Sequence, residues 1–125
     1  MEYTMRLSAK PFKKLAGGSK KVELRLYDEK RKQLRVVDTI TFFSTNDPNS
    51  SIQTRITGLY LFDSFEELYK NIPIEDLGYD EEELPQASPN DMDAYYTPEE
   101  QAKYGVIAIR LSLLSIAEQV NKEKL

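Results

Sequence analysis

The chain has 125 residues and a net charge of −4, with neither cysteine nor histidine. That length suffices for one domain with its own core, without disulfides or a structural metal. The missing residue types exclude a thiol nucleophile, a Ser-His-Asp or Cys-His arrangement, a disulfide scaffold and the usual zinc ligand sets. Charge is divided along the sequence. Residues 1–35 carry eleven Lys and Arg against four Asp and Glu, and the remainder carries six against seventeen. A basic surface of that kind suits phosphate-bearing partners, and pairing between the two halves would produce the same asymmetry.

In chain order, Thr4 to Leu7 reads as a short strand and Pro11 to Leu15 as a short helix ended by Gly17-Gly18. Lys20 to Tyr27 reads as a strand on which Lys21, Glu23 and Arg25 point one way and Val22, Leu24 and Leu26 the other. Asp28 to Lys32 is a charged turn carrying the densest basic run, and Gln33 to Val37 is expected to continue a hairpin. Thr39 to Ser44 is rich in β-branched and aromatic residues and predicts another strand. The turn residues Asn46-Asp47-Pro48-Asn49 precede a long β run, Ser51 to Leu61, in which Gly58 predicts a bulge.

Ser64 with Glu67 has the spacing of a capping box, predicting a helix to about Asn71. Ile72 to Tyr96 is an acidic excursion broken by prolines, the length and composition of a functional loop. Its run Asp80 to Glu83 lacks calcium-loop spacing and reads as solvated, so no metal and no cofactor is expected. Thr97, Pro98 and Glu100 predict a capped helix stopped by Gly105. Val106 to Leu114 is almost continuously apolar, a buried strand interrupted by Arg110. Ser115 to Leu125 is a tail without a clear signal. No leader and no run of roughly 18 apolar residues is visible, so a cytoplasmic location away from membranes is expected.

The segment Gly18-x-Lys20-x-x-Glu23-x-Arg25 resembles the G-x-K-x-x-E-x-R signature of the ASCH domain family. The likeness extends through Met5-Arg6-Leu7, Lys10-Pro11-Phe12, Val37-Asp38-Thr39-Ile40-Thr41-Phe42, Tyr60, Ser64 to Leu68, Tyr95 to Glu100 and Gly105 to Ile109, and covers about residues 3–113. It implies an α+β, PUA-like, partly open β-barrel of five or six strands with two or three short helices. It also implies binding of single-stranded RNA, a nucleotide or a nucleoside in a cleft framed by Gly18, Lys20, Glu23, Arg25 and the Tyr95-Tyr96 loop.

The alternative implied by the same resemblance is hydrolysis of RNA or of a modified nucleoside, with Lys20 stabilising negative charge and Glu23 as base. In the branch similar to amidohydrolases acting on acetylated cytidine, a threonine nucleophile stands where this chain has Glu23. Arg110, alone in an apolar strand, must find a carboxylate or a ligand and joins the candidate ligand-binding set. Tyr95 and Tyr96 are placed to stack on unpaired bases, or to pack their loop on the barrel. A protein partner held through the acidic loop is the third reading.

Overall fold

The computed structural model describes residues 1–115. Five strands and three α-helices follow one another as β1 (Glu2–Leu7), α1 (Ala9–Ala16), β2 (Val22–Leu26), β3 (Thr39–Ser44), β4 (Ser51–Phe62), α2 (Phe65–Asn71), α3 (Pro98–Tyr104) and β5 (Val106–Leu113). The strands form one sheet in the order β1-β3-β4-β5-β2, with β1 parallel to β3 and the other pairs antiparallel. The sheet curls into a five-stranded half-barrel, the α+β, PUA-like, partly open barrel that the sequence leads one to expect.

Each strand owes its place to alternation. On β1, Met5 and Leu7 turn inward while Thr4 and Arg6 stay exposed. On β5 the two faces serve two different cores. Ile107, Ile109 and Leu111 fill the barrel with Phe42, Ile40, Ile56 and Leu15, whereas Val106 and Ala108 lie beneath Phe65 and Leu68 of α2. Because β5 is covered on both sides it reads as one apolar run, as a doubly buried strand should. The register of β4 against β5 shifts between Ile56 and Gly58, the bend expected at this glycine. A Cβ on Gly58 would lie 2.8 Å from the Tyr60 ring.

The helix starts follow their caps. Thr97 Oγ1 accepts from the Glu100 N–H at 3.1 Å and Glu100 accepts from the Thr97 N–H at 3.0 Å, a complete box. At α2 only half of the box forms: Ser64 Oγ accepts from the Glu67 N–H at 3.2 Å, while the Glu67 carboxylate turns toward Lys70.

One expectation needs correction. Residues 33–37 do not extend a hairpin: Arg31–Gln33 is a 3-10 turn, Leu34 is buried in the barrel core and Val37 has φ 74. The turn wins because Leu34 gains burial and Asp28 closes it, accepting from the Arg31 N–H at 3.1 Å and pairing with its guanidinium at 3.0 Å. The acidic excursion is an ordered loop. It contains three 3-10 turns, Ile74–Asp76, Leu84–Gln86 and Pro89–Ala94. The tail expected from Ser115 to Leu125 lies, from 116 on, outside the described residues. Among the described residues no helix is long and apolar enough to cross a membrane.

Candidate functional site

The site begins with an unfinished sheet. β1 and β2 are its two edges, so each has backbone groups that no neighbouring strand reaches. The octet Gly18 to Arg25 supplies side chains in place of that strand. Lys20 Nζ donates to Val22 O at 3.0 Å and to Leu77 O at 3.3 Å, and lies 3.3 Å from Glu23 Oε1. The Leu24 N–H donates to Glu23 Oε1 at 2.9 Å. Arg25 donates through Nε and Nη2 to Glu23 Oε2, at 3.2 and 2.8 Å, and through Nη2 to Arg6 O of β1 at 2.9 Å. A carbonyl and an N–H of β2 and a carbonyl of β1 are thus satisfied by three charged side chains.

Lys20 and Glu23 are 7 % and 5 % exposed, so this is a buried cluster and not a solvated strand face. Glu23 and Arg25 stand opposite Ile109 and Ile107 in the register with β5 and therefore share the inward face. Burial alone would push the Glu23 carboxyl up, but the charges of Lys20 and Arg25 outweigh it and hold the group below the ordinary carboxylate range. For Arg25 the penalty of burial is likewise overcome by Glu23, which favours the guanidinium cation. Lys20 makes two hydrogen bonds and one ion pair inside the cluster and both Glu23 oxygens accept hydrogen bonds there, whereas Arg25 Nη1 makes no hydrogen bond to the described residues.

Above this floor opens a cleft of about 730 Å³, within the usual range of ligand pockets. Its first wall is β1 and α1, contributing Arg6, Lys10 and Lys14; its second is α2, contributing Tyr69, and the excursion, contributing Tyr79, Asp91, Tyr95 and Tyr96. Five cations face three carboxylates across it. The second wall is braced internally. Tyr79 donates to Asp91 Oδ2 at 2.6 Å, and Tyr69 and Tyr79 hydroxyls lie 2.8 Å apart, so Tyr69 donates to Tyr79. Burial and then the bond to Asp91 push the Tyr79 phenol up, so it stays protonated.

Tyr96 stacks on Phe65, with ring centroids 6.0 Å apart, and is half-buried; Tyr95 is 64 % exposed at the rim. The two tyrosines therefore divide the roles foreseen for them: one anchors the loop, the other presents a bare ring.

Gly78 ties the walls to the floor. Its φ is +97 and a Cβ there would meet Lys20 Cβ at 3.0 Å, so both backbone conformation and space require glycine. Gly18 has φ +85 in the turn after α1, which needs glycine for the dihedral, and it does not line the cleft. Arg110 is also outside the cleft: it finds its carboxylate in Asp76, at 3.1 Å. The basic run 30–35 is held locally, with Arg31 on Asp28, Lys32 on Glu29 and Arg35 on the carbonyls of Lys32 and Leu34.

Residues 5–115 match the ASCH domain. The chain belongs to the ASCH domain family. Among solved structures, the crystal structure of hypothetical protein PH0355 is 29 % identical, with a TM-score of 0.75, and the match covers 91 % of this chain and all of that one. The solution structure of protein PF0455 from Pyrococcus furiosus is 30 % identical over 92 % of this chain and 99 % of that one, with a TM-score of 0.65. ASCH from Zymomonas mobilis shares the fold at 14 % identity and a TM-score of 0.63, covering 96 % of this chain and 77 % of that one. No curated protein matches the chain.

In this ASCH domain, sequence reasoning picks out the floor and Tyr95-Tyr96 but misses Arg6, Lys10, Lys14, Tyr69, Tyr79, Asp91 and Gly78. Arg6 alone carried a signal, as a lone cation at an outward position of an edge strand. Lys10 and Lys14 are a helical turn apart and face their partner 69–73 residues away, which no local pattern reveals.

Proposed function

We propose that this ASCH domain binds single-stranded RNA or a nucleotide in the cleft between α1 and the 69–96 excursion. One observation carries the reading: the cations Arg6 and Lys14 of the first wall and Arg25 of the floor share a cleft about 730 Å³ in volume with an exposed ring, Tyr95. Phosphate takes the cations and an unpaired base stacks on the ring, a combination that single-stranded nucleic acid satisfies. In this reading Arg25 donates to the ligand through Nη1, Tyr95 stacks, and Tyr96 fixes the loop. Lys20 and Glu23 are positioning residues that hold Arg25 and the seam.

The occupied Glu23 oxygens favour binding over hydrolysis. A general base needs a lone pair aimed at the substrate; here Oε1 accepts from the Leu24 N–H and is ion-paired with Lys20, Oε2 accepts twice from Arg25, and the basicity of the carboxylate is lowered.

The test is fluorescence titration of labelled single-stranded RNA at low and physiological salt, with wild type, Arg6→Ala and Tyr95→Ala, each mixture then run on a gel. Saturable, salt-sensitive binding weakened in both variants, with intact RNA, is the expected result. Equal binding by all three proteins would sink the cleft reading, and shortened RNA would replace binding by hydrolysis.

A further inference from the structure

We infer that Lys10 and Lys14 form a subsite for a terminal phosphomonoester of the ligand, and that Glu83 occupies this subsite when no ligand is bound. The inference rests on the proposal that the cleft takes RNA or a nucleotide, and it names the part of the ligand recognised at its mouth.

The geometry is that of an anion site with a resident anion. Lys10 and Lys14 are i and i+4 on α1, so both ammonium groups leave the same face of the helix. They converge on one carboxylate: Lys10 Nζ donates to Glu83 Oε2 at 2.8 Å, and Lys14 Nζ donates to Oε1. The Asp80 N–H donates to Oε1 as well, at 3.0 Å. Three donors from two elements thus surround a planar group that has only two oxygens. A phosphomonoester has three terminal oxygens and close to two negative charges near neutral pH, so it matches the donors and the charge better than a carboxylate does.

Exchange is physically accessible here. The Lys10, Glu83 and Lys14 side chains are 65 %, 33 % and 19 % exposed, so water reaches the carboxylate and Lys10 and can take part in the swap, with Lys14 the more enclosed partner. Glu83 itself sits on a turn, closed by its N–H donating to Asp80 Oδ1 at 2.9 Å, which leaves the side chain free to rotate without unfolding the segment. All three residues line the same cleft as Arg25 and Tyr95. A chain whose first base stacks on Tyr95 would bring its terminal phosphate, not an internal diester, to this rim. An internal diester carries one charge, the same as the carboxylate it would displace, and gains nothing in the exchange.

The experiment compares RNA oligomers identical except for a 5′-phosphate, a 3′-phosphate or hydroxyl ends, titrated into wild type, Glu83→Gln and the double variant Lys10→Ala/Lys14→Ala. In parallel, inorganic pyrophosphate is titrated into the same proteins and the backbone amide shifts of residues 10–14 are followed by NMR. Alanine is the best helix former, and Lys10 is exposed and Lys14 only partly buried, so the double variant keeps α1 and loss of binding reports the ammonium groups.

The expected result is a preference for one phosphorylated end in wild type. It should grow by about two- to fivefold in Glu83→Gln, the range for removing one exposed competing charge, and vanish in the double alanine variant. If the oligomers bind but Glu83→Gln ignores the terminal phosphate, the subsite is refuted and RNA binding stands. If no oligomer binds while pyrophosphate still shifts the α1 amides of Glu83→Gln and not those of the double variant, the subsite stands and RNA binding falls. Silence in both titrations overturns both.

Discussion

The cleft has two clusters of the same chemistry, a glutamate held by two cations, in opposite environments. At the floor, Glu23 is 5 % exposed and each of its oxygens is held by rigid neighbours on β2. At the mouth, Glu83 is held by flexible lysines beside open water. Burial makes the first cluster part of the architecture, because breaking it strands charges that water cannot reach. Exposure makes the second replaceable, since any anion of suitable shape competes on nearly equal terms.

The largest test of that contrast is Glu23→Ala. Removing it leaves Lys20 and Arg25 together in the interior, and urea denaturation should show a loss of about 3–5 kcal/mol. A loss below about 1 kcal/mol would place the floor in the same class as a surface pair.

A second test uses acid. Because the folded carboxyl of Glu23 is held below its ordinary value, the stability it contributes is fully present above the ordinary carboxylate range. That contribution disappears as pH falls through the lowered value. Urea midpoints between pH 6 and pH 2 should therefore fall more steeply in wild type than in Glu23→Gln, and parallel curves would contradict the assignment.

Tyr95→Ala comes next. It should weaken RNA binding by about 1–3 kcal/mol, the worth of one stacked base, while the thermal midpoint stays at the wild-type value because the ring packs against little. Tyr96→Ala should reverse that order, lowering the midpoint first, through loss of the contact with Phe65. The smallest expected effect is Glu83→Gln, whose thermal midpoint should be indistinguishable from wild type. A clear drop would mean that the mouth is architectural too.

The same contrast governs what could be read from the sequence. Strands β3, β4 and β5, the complete cap at Thr97 and Glu100, the stop at Gly105 and the bend at Gly58 all follow from local patterns, because propensity and capping act over a few residues. The alternation of Val22, Leu24 and Leu26 against Glu23 and Arg25 was also legible. Its meaning was not, because period two says that two faces differ, not which of them the barrel encloses.

Arg110 shows the intermediate case. The need for a partner was evident from the apolar strand, and the choice of Asp76 over a ligand was decided by the placement of the turn at Ile74–Asp76. Lys10 and Lys14 show the opposite extreme. Nothing near them in sequence announces Glu83, and the local reading of Asp80 to Glu83 as solvated carboxylates overlooks the one that reaches across. The Arg31–Gln33 turn has no local signal because burial of a single residue, Leu34, overrides the tendency to continue a hairpin.

The way the octet closes the sheet also bears on solubility. Lys20, Glu23 and Arg25 occupy backbone groups of β2 and β1 that would otherwise face outward in an extended row. Such a row is a template on which the extended segment of another molecule can add as a further strand. A chain that loses Glu23 therefore frees the Leu24 N–H of that edge as well as weakening the interior. Its failure in the cell would be self-association into intermolecular sheet, whose onset depends on protein concentration.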